Sequence, residues 1–143
     1  MRKALARPLA SRNANAPMRI FMKTILLVED DPFVVDIYTT KLESAGFSVG
    51  VAEDGEEALR KLKEKKPDLM ILDIVLPNID GWELLKMIRS ELGMEDLKVV
   101  VLSNLSQKEE VQKGLALGVI RHFVKASFTP SEVVEEIKKI VNE

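Results

Sequence analysis

Four places in this chain put chemically capable side chains directly after a short apolar run. They are the acidic triplet Glu29, Asp30 and Asp31 after TILLV, Asp73 after LMIL, Ser103 after VVVL, and Lys125 after HFV. Carboxylates brought this close repel one another, and a bound divalent cation is the natural resolution. The chain has no cysteine and one histidine, His122, which excludes thiolate and imidazole clusters, so any metal must be held by oxygen. Mg²⁺ suits such a set best, because it accepts a few carboxylates and keeps several waters. A metal beside a carboxylate, a hydroxyl and an ammonium is what phosphoryl transfer needs, where catalysis is mostly positioning and neutralisation of charge. In that chemistry Asp73 is the nucleophile and forms an acyl phosphate, while Lys125 and Ser103 take the phosphoryl oxygens that the metal leaves.

These groups can meet only if the runs before them are strands ending on one rim. From Lys23 onward, β-branched apolar runs alternate five times with amphipathic stretches of helical length, which is the pattern of an α/β fold. The runs are Thr24 to Val28, Phe47 to Ala52, Asp68 to Leu72, Leu97 to Leu102 and Val119 to Val124. Several are apolar at nearly every position, as strands covered on both faces should be. Helices are expected near 32–45, 54–65, 80–92, 106–117 and 130–141. Their start signals are Asp31 with Pro32, Ser106 with Glu109, and Thr129 with Pro130 and Glu132; Gly46 and Gly118 are placed to end the first and fourth. Val133, Val134, Ile137, Ile140 and Val141 form an apolar stripe that should dock the last helix on the sheet. Five parallel strands in so short a chain favour a doubly wound sheet of order 2-1-3-4-5, whose ligand site lies beyond the strand ends between the first and third strands.

At 143 residues the chain suits one compact domain, and no apolar run approaches the length of a membrane span. The net charge of −2 hides an asymmetry. Residues 1–23 carry six basic groups and no acid, which leaves 15 basic against 23 acidic residues, a net −8, for the remainder. Direct DNA binding by this acidic body is not expected, although the basic arm could touch phosphates or a neighbour's acidic surface. Residues 1–22 lack amphipathic period and a sustained apolar segment, and read as a disordered extension preceding a domain at 23–143.

The stretches ILLVEDDP, LMILDIVLPNIDGWELL, VVVLSN and HFVKA together resemble the receiver domains of response regulators, over residues 23–142. The resemblance implies a stand-alone, chemotaxis-regulator-like receiver of two-component signalling. Glu29 and Asp30 would be the metal-binding acidic pair, Asp73 the phosphoacceptor, and the Val75 backbone carbonyl a further ligand to Mg²⁺. Asp31 is left as a helix cap. Ser103 would close on the phosphoryl group and Lys125 pair with it, while Pro77 and Gly81 would shape the loop before the third helix. Implied partners are a sensor histidine kinase or phosphotransfer protein, and an effector protein or a further relay step. The location would be cytoplasmic, and the resemblance admits a homodimer through the fourth and fifth helices. Because the sequence stops after the fifth helix, output through a separate protein is the expectation.

Three departures stand out. Ala126 replaces the proline that follows the lysine in the family, which leaves a cis or a trans peptide open. Asn104 is bulkier than the residue the family prefers beside the hydroxyl. His122 occupies the place of a switching Tyr or Phe; a half-exposed ring at the sheet edge is the simpler expectation, and a pH-sensitive switch the alternative. Val75 and Leu105, two past Asp73 and Ser103, offer no polar group to orient an attacking water, so a long-lived phosphoryl group is expected. Val75 also stands where an aspartyl phosphatase needs a second acid, and EDDP is not the Ser/Thr/Gly phosphate cradle of a flavodoxin-like carrier. The remaining rival is a receiver-like interaction module that works without phosphate.

Overall fold

The computed structural model describes residues 22–142. The extension expected at residues 1–22 therefore falls outside the described residues, apart from Met22. Five strands, β1 (Thr24–Val28), β2 (Ser48–Ala52), β3 (Leu69–Leu72), β4 (Lys98–Ser103) and β5 (Arg121–Val124), form one parallel sheet of order β2-β1-β3-β4-β5. Five helices alternate with them: α1 (Pro32–Ser44), α2 (Gly55–Glu64), α3 (Gly81–Ser90), α4 (Lys108–Ala116) and α5 (Pro130–Val141). This is the doubly wound architecture expected from the sequence. No helix among the described residues is long and apolar enough to cross a membrane.

Side chains alternate across a strand, and two cores follow from that. Ile25, Leu27, Leu69, Ile71, Val100, Leu102 and Phe123 face one way and meet Tyr38 and Leu42 of α1 and the Val133 to Val141 stripe of α5. Leu26, Val28, Met70, Leu72, Val99 and Val101 face the other way and meet Ala58 and Leu62 of α2 and Leu84, Leu85 and Ile88 of α3. Each such side chain contributes roughly 1.5–3 kcal/mol when fully buried. Both faces of the central strands are therefore dry, and polar groups can gather only at their ends.

The helix starts are held by short polar side chains. Asp31 accepts from Phe33 N–H at 2.9 Å with Pro32 at the first helical position, and Asp54 and Asp80 cap α2 and α3 by accepting from Glu57 and Glu83 N–H. Thr129 and Glu132 form a reciprocal capping box on α5. Gly46 and Gly118 follow α1 and α4 with φ of +96° and +79°, a conformation glycine adopts without penalty.

The expected Ser106 cap does not form: α4 begins two residues later, with Gln107 in the capping position and no side-chain cap. The preceding loop is held by other bonds, described below. β5 likewise begins at Arg121, not Val119, because Val119 N–H closes the end of α4 on the Gly114 carbonyl.

β2 is an edge strand. Ser48 N–H and the Ala52 carbonyl turn inward to Lys23 and Glu29, so the Val51 carbonyl between them points out of the sheet. Lys61 of α2 folds over the edge and donates its Nζ to that carbonyl.

Candidate functional site

Strand register sets the site. Val28 pairs with Leu72, so the next residues, Glu29 and Asp73, emerge side by side, and the Asp73 N–H donates to the Val28 carbonyl at 3.0 Å. Ser103 pairs with Val124, so Lys125 emerges beside it, its N–H on the Ser103 carbonyl at 2.9 Å. The expected residues thus reach one rim, at the carboxyl ends of the strands.

The site is largely buried. Glu29 is 1% exposed, Asp73 6% and Ser103 0%, whereas Asp30 faces solvent. Lys125 reaches between the two buried carboxylates, with Nζ 2.9 Å from Glu29 Oε1 and 3.2 Å from Asp73 Oδ2. Glu29 Oε2 also accepts from Asp31 N–H at 3.1 Å, and Asp73 Oδ1 from Val75 N–H at 3.3 Å. Burial holds the Glu29 carboxyl above its ordinary 4.5; the Lys125 hydrogen bond opposes this and the Asp73 charge adds to it. Burial acts to lower the Lys125 ammonium, but the Glu29 hydrogen bond and the two carboxylate charges outweigh it and leave the net shift upward. The nearby Tyr38 hydroxyl is pushed up to about 12, mainly by burial and then by the Glu29 charge.

Carboxylate oxygens of Glu29, Asp30 and Asp73 lie within 4.8 Å of one another. Three hard oxygen donors, one of them open to solvent, fit a hard divalent cation that keeps part of its water shell. Asp31 stays out of this group and serves as the α1 cap.

Gly81 lets α3 approach the acceptor loop. Its N–H donates to the Ile74 carbonyl at 2.8 Å, and a Cβ on it would stand 2.6 Å from Ile74 Cα and 2.7 Å from the Asp73 carbonyl oxygen. Before it, Asn78 takes φ of +69°, a left-handed turn that asparagine tolerates. The Lys125–Ala126 peptide is trans, which answers the question raised by the missing proline.

Ser103 Oγ accepts from Leu105 N–H at 3.3 Å and makes no hydrogen bond to Asp73 among the described residues. His122 is half-buried on the edge strand β5, and its Nε2 lies 2.6 Å from the Leu105 carbonyl oxygen. Two features escaped the sequence reading. One is the main chain of Leu105, which carries no side-chain signature. The other is Glu110 of α4, which accepts from Trp82 Nε1 at 2.8 Å; a buried tryptophan in need of an acceptor was the available signal.

The family model described as response regulator receiver domain matches residues 25–138. The alkaline phosphatase synthesis transcriptional regulatory protein PhoP of Bacillus subtilis is 39% identical over 121 residues, covering 83% of this chain and 48% of that protein. The phosphate regulon transcriptional regulatory protein PhoB of Klebsiella pneumoniae is 34% identical over 119 residues, covering 83% of this chain and 52% of that protein. The chain spans about half the length of these curated relatives. Among solved structures, chemotaxis protein CheY4 of Vibrio cholerae matches with a TM-score of 0.76 at 28% identity, over 83% of this chain and 98% of that one. A putative response regulator from Chloroflexus aurantiacus J-10-fl matches with a TM-score of 0.77 at 32% identity, over 85% and 99%.

Proposed function

Because this chain belongs to the response-regulator receiver family, we propose that it is a phosphorylation switch that accepts a phosphoryl group on Asp73 from a phosphohistidine of a sensor kinase or phosphotransfer protein. Asp73 Oδ attacks phosphorus, a P–O bond forms as the P–N bond breaks, and the imidazole leaves carrying a proton. Lys125 stays paired to the acceptor and neutralises charge on the transferred oxygens. Ser103, now held by Leu105, turns its hydroxyl to a phosphoryl oxygen. Glu29, Asp30, Asp73 and, by the family resemblance, the Val75 carbonyl would hold Mg²⁺, which when bound supplies charge neutralisation at the phosphoryl oxygens.

The observation that carries this reading is Lys125 Nζ seated between Glu29 and Asp73, at 2.9 and 3.2 Å, beside a cluster of three carboxylates. The cycle runs in the cytoplasm. Its output is a population shift of the α4–β5–α5 surface, read by an effector or passed on in a relay.

Intact-mass detection of labelling by acetyl phosphate tests the reading, with and without Mg²⁺, on this protein and its Asp73→Asn variant. A Mg²⁺-dependent, hydroxylamine-labile adduct absent from the variant is expected. No adduct on the folded protein would overturn it in favour of a module that works through its surfaces alone.

A further inference from the structure

α4 buries little of itself. Of its nine residues only Gly114 is buried, and the helix begins on Gln107 without a side-chain cap. Its two ends are held unequally. At the carboxyl end the Val119 N–H closes on the Gly114 carbonyl at 2.9 Å, and Arg89 of α3 donates to the Leu117 carbonyl at 2.9 Å and to the Gly118 carbonyl at 3.4 Å. The same guanidinium holds the Met94 and Leu97 carbonyls at 2.7 and 2.8 Å. This end of α4 is thus bound both to α3 and to the turn that leads into β4.

The amino end is fastened differently. Trp82 of α3 donates its Nε1–H to Glu110, the third residue of α4, at 2.8 Å. The indole continues to Gly114, where a Cβ would stand 3.2 Å from Trp82 Cη2. Glu110 and Gly114 are four residues apart and share a helix face, so one ring covers both the bond and the place where α3 and α4 touch. Lys108 and Glu109 of the same first turn are exposed, and Lys113 pairs with Glu110 from within α4, which ties the helix to itself and not to α3. Trp82 is 6% exposed, and a buried indole N–H that lost a charged acceptor would be left unsatisfied. The bond therefore has a preferred partner only while the amino end of α4 stays against α3.

We propose that Trp82 is a positioning residue for α4: its hydrogen bond to Glu110 is the catch that fixes the amino end of the helix in the resting form, and α4 swings about its Arg89-bound end when the catch opens. The proposal rests on the reading of Asp73 as acceptor and of α4 as part of the output surface. Helix position and labelling are then linked, and linkage runs both ways: whatever favours the swung helix favours the labelled acceptor. A form that is only partly populated lowers the apparent reactivity of whatever selects it, so the closed catch restrains labelling of Asp73 and its loss speeds it. A contact that served stability alone would act the other way, since its loss would loosen the domain and leave labelling slower or unchanged.

The test compares the native protein with Glu110→Gln and Glu110→Ala, both at a half-buried helix position. Glutamine keeps an oxygen that accepts from the indole and matches the lost charge beside Lys113, whereas alanine removes the acceptor. Initial labelling by acetyl phosphate with Mg²⁺ should be severalfold faster in Glu110→Ala than in the native protein and close to native in Glu110→Gln, with the melting temperature of Glu110→Ala no higher than native. NMR of the native protein under excess acetyl phosphate follows the Nε1–H of Trp82, the chain's one tryptophan, which should leave its hydrogen-bonded position while the Arg89 Nε–H stays. Labelling of Glu110→Ala no faster than that of Glu110→Gln, or an indole signal unmoved at full labelling, overturns the proposal. If none of the three proteins is labelled, the amides of Val111 to Ala116 decide: exchange severalfold faster in Glu110→Ala than in Glu110→Gln would overturn the reading of Asp73 and leave the catch, and equal exchange would overturn both.

Discussion

Replacing Gly81 with alanine should cost stability and labelling of Asp73 together. The new Cβ would stand 2.6 Å from Ile74 Cα, 2.7 Å from the Asp73 carbonyl oxygen and 2.8 Å from Ile74 Cδ1. Carbon atoms pack at about 3.5–4.0 Å, so roughly 1 Å must be found, and two of the three obstacles are backbone atoms that no rotamer change can move. Overpacking costs about 1–3 kcal/mol, and a backbone obstacle belongs at the upper end. For a domain of this size that corresponds to a fall in Tm of roughly 10 °C. The displaced atoms belong to the acceptor and its neighbour, and a misplacement of about 1 Å can slow a positioned reaction about a hundredfold. Thermal unfolding by circular dichroism and acetyl phosphate labelling should be run beside Gly50→Ala, whose Cβ meets only Leu26 Cδ1, at 3.8 Å. That control should stay within about 0.5 kcal/mol of the native protein. If Gly81→Ala melts and labels like the native protein, the close approach of α3 to the acceptor loop is not what holds Asp73 in place.

Lys125→Met leaves two buried carboxylates facing each other, and breaking such a pair costs about 3–5 kcal/mol, here towards the lower figure because the lysine keeps some solvent contact. Its denaturation midpoint should drop, and added Mg²⁺ should narrow the gap; an unchanged midpoint would contradict the role given to the ammonium. The folded Glu110 carboxyl sits below 4.5, chiefly through the Trp82 hydrogen bond, so the unfolded state binds its proton first as pH falls. That contribution is whole above about pH 4.5 and lost below it, and urea unfolding of the native protein and Trp82→Phe at about pH 7 and about pH 3 should show the gap between them narrowing in acid. Val75 presents an exposed apolar side chain beside Asp73, so the aspartyl phosphate should be long-lived, and Val75→Asn should shorten its decay in a time course of adduct mass. Equal lifetimes would show that water is not positioned from that side.

The fold was legible because both signals that define it are local. Apolar runs mark strands dry on both faces, and Asp31, Thr129, Gly46 and Gly118 mark helix ends by backbone needs of their own. α4 was misread at its start because Ser106 and Glu109 have the spacing of a capping box, yet the loop before them is already tied down through the Leu105 main chain. Bonds to backbone leave no trace in residue types. Arg89 makes the same point: its guanidinium donates to the carbonyls of Met94, Leu97, Leu117 and Gly118, joining α3 to two turns, and nothing in the sequence names those partners. In the site, residue types told which side chains meet. They did not tell that Lys125 binds Glu29 as closely as the acceptor, since that depends on register.

An open parallel sheet has two edges, and a bare one is a template on which a strand from another chain can add. The lysine that α2 lays across β2 occupies the Val51 carbonyl that such a strand would need, and it brings a charge that an incoming strand would have to strip of water. The same side chain that closes the helix against the sheet therefore also guards the molecule against growing by strand addition at that edge.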